Sequence, residues 1–149
     1  MTEALFYHLQ TRTLEQALPG LLEKCLERGW KTVVQTGTVE RRDALDGHLW
    51  TYSDESFLPH GIRPEDLTDR AVRLTAEPDA RAGATVRFLV DRAPPPADFA
   101  DYDRLVFLFD GNDTEAVLDA RAHWKAVKAA GLTPTYWIQD ERGRWAKKG

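Results

Sequence analysis

Short apolar runs alternate along this chain with segments whose apolar residues recur at helical spacing, and that alternation constrains the fold more than any other feature. Leu5–Leu9 reads as a first strand. Leu14, Ala17, Leu18, Leu21, Leu22 and Cys25 share the face of a helix over 14–28, with Gly29 as its stop. Pro19 inside that pattern predicts a break, with the regular helix starting near it. Residues 32–36 read as a second strand, and Thr38 can cap a helix running to about Trp50. From Thr51 to Gly83 the periodicity fades into a long connection with a short strand around Val72–Leu74. Residues 85–90 and 105–109 read as two more strands, joined through an extended Pro94-Pro95-Pro96 connector. The clearest helix runs from Thr114 to Ala130 before Gly131. Residues 135–138 form a last strand, followed by an edge strand or tail at Arg144-Trp145. The strands are too apolar for a half-wet sheet. The expectation is therefore a three-layer α/β domain over 1–149, with a mostly parallel central sheet and helices on both faces.

Composition narrows the function classes. Cys25 is the single cysteine, which excludes an intrachain disulfide or a multi-cysteine zinc site; on its apolar helix face it reads as core filler. No run approaches the roughly 18 apolar residues of a membrane span. The N-terminus lacks a basic segment followed by a long apolar one, so a cytoplasmic location is expected. The net charge of −4 is uneven. Arg121, Lys125, Lys128, Arg142, Arg144, Lys147 and Lys148 face only Asp140 and Glu141 in the last stretch, and the rest of the chain is acidic. An acidic body makes a poor general nucleic-acid binder, whereas a local basic end suits a small acidic partner.

Alternating strands and helices invite a nucleotide-enzyme reading, but its motifs are missing. Val106–Asp110 resembles the strand-plus-acid half of a P-loop enzyme, yet no GxxxxGKS or GxxxxGKT occurs. Gly29-Trp30-Lys31-Thr32 precedes a strand instead of following one. No GxGxxG or GxSxG is present. His8, His48, His60 and His123 have no metal-ligand spacing. Asp110-Gly111-Asn112-Asp113 reads as a tight turn, with Asp113 or Thr114 capping the next helix. No cofactor or metal is expected. The alternative is a nucleotide-binding or hydrolytic α/β enzyme with an unrecognised site.

Two constellations rise above this background. Arg121, Trp124, Lys125 and Lys128 stand at i, i+3, i+4 and i+7, one helical stripe that Val117 joins a turn earlier. Leu118, Ala122, Ala126 and Ala129 form a neighbouring small-residue face suited to packing on a sheet. An aromatic among three cations fits an acidic peptide with a terminal aromatic residue or carboxylate. The plainer alternative is a tryptophan at the core edge with solvated cations around it. The second constellation is Trp50, Phe57, Leu58, Pro59 and His60, large apolar groups and an imidazole in a loop setting. Such residues are loop anchors or partner hot spots.

The Phe6-Tyr7 strand, the LW…ESFLPH block from Leu49 to His60 and the RxxWKxxKxAG run from Arg121 to Gly131 together resemble the chi subunit of bacterial DNA polymerase III, over nearly the whole chain. The resemblance implies a Rossmann-like fold lacking a phosphate-binding loop and a non-catalytic accessory subunit of the polymerase holoenzyme. It also implies two partners: the acidic C-terminal tail of single-stranded-DNA-binding protein, and the psi subunit of the clamp loader or a helicase-like protein. DNA would be reached only indirectly. By position, the resemblance assigns Arg121, Trp124, Lys125, Lys128 and Val117 to the tail site, and Trp50, Phe57, Leu58, Pro59 and His60 to the psi or helicase surface. Two departures stand out. Val117 replaces a cation, and Asp110 stands where some members have an apolar residue near the tail pocket, bringing an acid towards an acidic ligand.

Overall fold

All the runs expected as strands join one sheet. A computed structural model describes residues 3–51, 59–62, 72–77, 84–96, 99–142 and 144–148, apart from the side chains of Trp50 and Thr51. The elements are β1 (Glu3–Leu9), α1 (Leu14–Glu27), β2 (Thr32–Gln35), α2 (Val39–Thr51), β3 (His60–Gly61), β4 (Val72–Thr75), β5 (Val86–Leu89), β6 (Arg104–Asp110), α3 (Thr114–Ala129), β7 (Thr133–Gln139) and β8 (Trp145–Lys147). The sheet order is β3-β4-β2-β5-β6-β1-β7-β8. Every neighbouring pair is parallel except the antiparallel β7–β8 edge.

Period-two alternation sends the two sides of each strand to different layers. Leu5, Tyr7, Leu9, Val34, Phe88, Val106 and Leu108 pack with Leu18, Leu22 and Cys25 of α1 and Leu45 and Leu49 of α2. Ala4, Phe6, Val33, Leu89, Leu105 and Phe107 pack with Ala120, Trp124 and Val127 of α3. This is the expected three-layer arrangement, with Cys25 buried in the core.

Helix α1 is not broken at Pro19. It runs continuously from a capping box in which Thr13 and Gln16 satisfy each other's backbone N–H groups. Proline has no N–H to give the carbonyl four residues back, which here is Glu15. The His48 imidazole of α2 takes its place, with Nε2 2.7 Å from the Glu15 carbonyl oxygen. A contact from the neighbouring helix thus satisfies the group that the proline leaves open.

The two crossovers diverge. After β1 the chain passes over one face through α1 to β2. After β6 it passes over the other through α3 to β7. The carboxyl ends of β1 and β6 are therefore the topological switch point, where open α/β sheets usually hold ligands. Here the ends are drawn tightly together: the Gly111 N–H donates to the Leu9 carbonyl at 2.7 Å. A Cβ at position 111 would stand 2.7 Å from that oxygen and run into the His8 ring.

Candidate functional site: two clefts beside one helix

The termini of α3 follow from its sequence. The Asp113 carboxylate accepts from the N–H groups of Glu115 and Ala116, and Gly131 ends the helix with φ of 85°. Its buried face is Ala116, Ala120 and Val127, with His123 and Trp124 half-buried. The expectation that Leu118, Ala122, Ala126 and Ala129 pack on the sheet is wrong: Leu118 is 55% exposed and the three alanines are exposed too. The larger groups Trp124 and Val127 claim the sheet, and alanine serves the solvent side as the best helix former.

Trp124 sits with its ring edge-on to Phe6 at 5.1 Å and to Tyr136 at 6.1 Å. Phe6 in turn stacks on Phe107 at 4.3 Å. Parallel pairing sets Phe6 between Phe107 and Tyr136, and sets His8 beside Phe109. Together with α3 these residues wall a cleft of about 400 Å³, lined by Phe6, His8, Phe109, Val117, Ala120, Arg121, Trp124, Lys125 and Tyr136. Four of the five residues grouped by helical spacing thus line one cavity. Lys128 is exposed one turn further along and is not part of the lining. Trp124 meets both descriptions offered for it, since it packs at the core edge and forms a cleft wall.

The floor is neutral and the rim is cationic. His8 Nδ1 is hydrogen-bonded to the Tyr136 hydroxyl. Burial pushes the His8 imidazole below its usual range, against the opposing pull of Asp110. Burial also pushes the Tyr136 phenol up, opposed by Arg121. Both effects favour a phenol donating to an uncharged imidazole. Arg121 and Lys125 are exposed at the rim, and among the described residues no carboxylate pairs with them or with Lys128. Phe6, His8, Phe109 and Tyr136 were not singled out as site residues from the sequence. Their signal was the same-face alternation of Phe6 with His8, which becomes a site only once strand order is known.

A second cleft, of about 320 Å³, lies at the switch point on the other side of α3. Asp110 lines this one and not the aromatic cleft. Its Oδ1 accepts from the Asn112 N–H at 2.9 Å. Asp110 thus stands outside the lining of the aromatic cleft, on the opposite side of β6 from Phe109, while its charge still acts on the His8 imidazole within that cleft. In a nucleotide enzyme the loop after β1 would cradle phosphate. Here its N–H groups are already taken. Gln139 Oε1 accepts from Gln10, Thr11 and Arg12 at 2.9, 3.1 and 3.1 Å. The α3 N-terminus is capped by Asp113, and Arg92 is held by Asp119 and Glu115 at 2.5 and 2.8 Å. Asp91 and Arg92 adopt positive φ at the same mouth.

The second constellation is only partly within the described residues. Trp50 lies in α2 without a described side chain, and Phe57 and Leu58 lie outside the description. The Pro59 carbonyl accepts from the Val72 N–H at 2.9 Å. The His60 side chain is fully buried, with Nε2 3.1 Å from the Asp46 carbonyl and 3.2 Å from its carboxylate. His60 braces β3 against α2, so its imidazole is an internal anchor and not an exposed contact.

Among the described residues no helix is long and apolar enough to cross a membrane, and no group of three or more histidine, cysteine or acidic side chains could hold a metal ion. Comparison with known proteins gives a consistent family match. The model of the family described as DNA polymerase III chi subunit, HolC, matches residues 1–135. A Rickettsia prowazekii protein named "Probable DNA polymerase III subunit chi" is 36% identical over 63 residues, 42% of this chain and 38% of that protein. A Pseudomonas aeruginosa DNA polymerase III subunit chi is 35% identical over 46 residues, 31% of this chain and 32% of that protein. The matched stretches thus span under two fifths of either relative.

Proposed function

The chain belongs to the DNA polymerase III chi subunit family, an accessory subunit of that polymerase, and from this premise we propose that it is a non-catalytic adaptor whose α3 cleft takes the acidic C-terminal tail of single-stranded-DNA-binding protein. One observation carries the proposal: an aromatic-walled, neutral-floored cleft whose rim cations, Arg121 and Lys125, have no carboxylate partner among the described residues. An apolar terminal side chain would enter between Phe6, Phe109, Trp124 and Tyr136. The terminal carboxylate would meet the planar guanidinium of Arg121 through two parallel hydrogen bonds. Lys125, and Lys128 beyond the cleft, would steer acidic residues upstream in the peptide.

The second constellation, Trp50, Phe57, Leu58 and Pro59, would hold the adaptor to the clamp loader through psi, or to a helicase-like partner, with Pro59 leading into β3. β3 stands four strands from β6, or about 19 Å at the usual strand spacing, so the two partners need not compete. The nucleotide alternative is disfavoured by the switch-point loop, whose N–H groups are spent on Gln139. Calorimetric titration with an acidic peptide ending in Pro-Phe, and separately with nucleotides, tests the proposal. Peptide binding without nucleotide binding is expected; nucleotide binding without peptide binding would overturn it.

A further inference from the structure

On the sheet face opposite the α3 cleft, at the β8 edge, lies a group of side chains with no part in the tail site. Parallel pairing sets Tyr7 beside Trp137, and antiparallel pairing sets Trp137 beside Lys147, so the three form one row across β1, β7 and β8. The Tyr7 and Trp137 rings are nearly parallel, 20° apart with centroids at 6.3 Å. Trp145 meets Tyr7 edge-on at 4.8 Å. All three aromatic residues keep part of their surface in solvent. Lys147 is exposed in the same row and Arg142 is exposed on the turn before β8, neither paired with an acid within the described residues, whereas Lys148 stands opposite Tyr136 and belongs to the other face. Most of this edge falls after residue 135, beyond the stretch that the family model matches.

We propose that this edge is a binding platform for single-stranded DNA, with unpaired bases stacking on Trp137 and Trp145 and phosphates running along Lys147 and Arg142. Aromatic faces on a sheet flanked by unpaired cations are the two parts that sequence-tolerant single-strand binding requires. An acidic peptide would use the cations and leave the aromatic row idle. A further β-strand, from a second copy or another chain, is disfavoured because the edge is three residues long and carries a lysine, features that discourage edge pairing. The acidic body limits the footprint to this edge, so binding is weak and strongly salt-dependent.

The test uses the full chain and a fluorescent oligo-dT strand, read by anisotropy at low salt. Trp137→Ala is expected to weaken binding about tenfold, the effect of one lost stacking partner, while Trp137→Phe retains most of it. Lys147→Ala should reduce the salt slope by about 0.7, and Lys148→Ala, on the other face, should change it less. Arg121→Ala should leave DNA binding within twofold, which separates this site from the peptide cleft. If Trp137→Ala lowers the melting transition, Lys147→Glu at the exposed edge carries the same test and should abolish binding. No binding to oligo-dT at low salt would overturn the proposal, as would wild-type affinity in both Trp137→Ala and Lys147→Glu. Equal competition by duplex DNA or by a polyglutamate peptide of matched length would also overturn it.

Discussion

The two clefts flanking α3 are of similar size, about 400 and 320 Å³, but they differ in what their polar groups are free to do. In the switch-point cleft the polar groups are largely occupied. Gln139 fills the loop after β1, Asp113 caps α3, and Arg92 lies between Asp119 and Glu115. In the aromatic cleft the hydrophobic walls are built and, among the described residues, no carboxylate pairs with the rim cations. Topological position would have nominated the switch-point cleft. Availability of charge nominates the aromatic one, because a ligand gains little from a group whose partner it must displace.

The strongest way to break this contrast is to empty the occupied cleft. Gln139→Ala leaves three backbone N–H groups without their acceptor and should cost about 3 kcal/mol of stability, read by chemical denaturation. The opened loop should then gain weak affinity for inorganic phosphate that the wild type lacks; unchanged stability would mean the loop is held by something else.

Next in size are Trp50 and Phe57 of the second constellation. Trp50→Ala or Phe57→Ala should weaken a pull-down of the clamp-loader or helicase partner by about 2 kcal/mol while leaving the peptide cleft intact. A circular-dichroism melt beside the pull-down distinguishes this from a loop anchor, whose loss would lower the transition instead.

Smaller still are the cleft lysines. Lys125→Ala should cost less than about 1 kcal/mol in peptide affinity at low salt, and Lys128→Ala less than that, since it stands outside the lining. Both losses should fade at high salt, where exposed charges are screened. A salt-independent loss at Lys128 would place the peptide further along α3 than the cleft indicates.

The smallest effect is a pH dependence of stability. Burial lowers the pKa of His8 and of His123, each against one nearby carboxylate. The unfolded chain therefore binds more protons than the native one as pH falls through the ordinary histidine range, so stability rises with pH there. The stabilisation is present above the unfolded pKa and is lost as pH drops towards the depressed native values. His8→Phe should flatten the slope in equilibrium unfolding between about pH 7 and 5; an unchanged slope would show that His8 already titrates freely.

Which parts were legible in the sequence follows from the range of the forces involved. The ends of α3 could be read because Asp113 and Gly131 act within a turn of themselves. The alternation of strands and helices was equally local, and with it the three-layer class. Strand order was not local, so nothing in the sequence placed Phe6, His8 and Tyr136 around Trp124. Pro19 was misread because the group it leaves open is satisfied by His48 on another helix, 33 residues from the Glu15 carbonyl. The Leu118 stripe was misread because small residues satisfy a packing pattern and a solvent face equally well. Gln139 and the buried Arg87 follow the same rule. Arg87 donates to Gln35 at 2.6 and 3.0 Å and to Tyr102 at 3.0 Å, partners 52 and 15 residues away.

The central claim, that Arg121 at the mouth of the aromatic cleft grips the terminal carboxylate of an acidic peptide, is tested most directly by a four-way calorimetric cycle. Wild type and Arg121→Ala are each titrated with the Pro-Phe peptide as free acid and as C-terminal amide. The account predicts a loss of about 2–5 kcal/mol for either change alone and little further loss for the two together, because both remove one interaction. Wild-type affinity of Arg121→Ala for the free-acid peptide would contradict it, and so would losses that simply add.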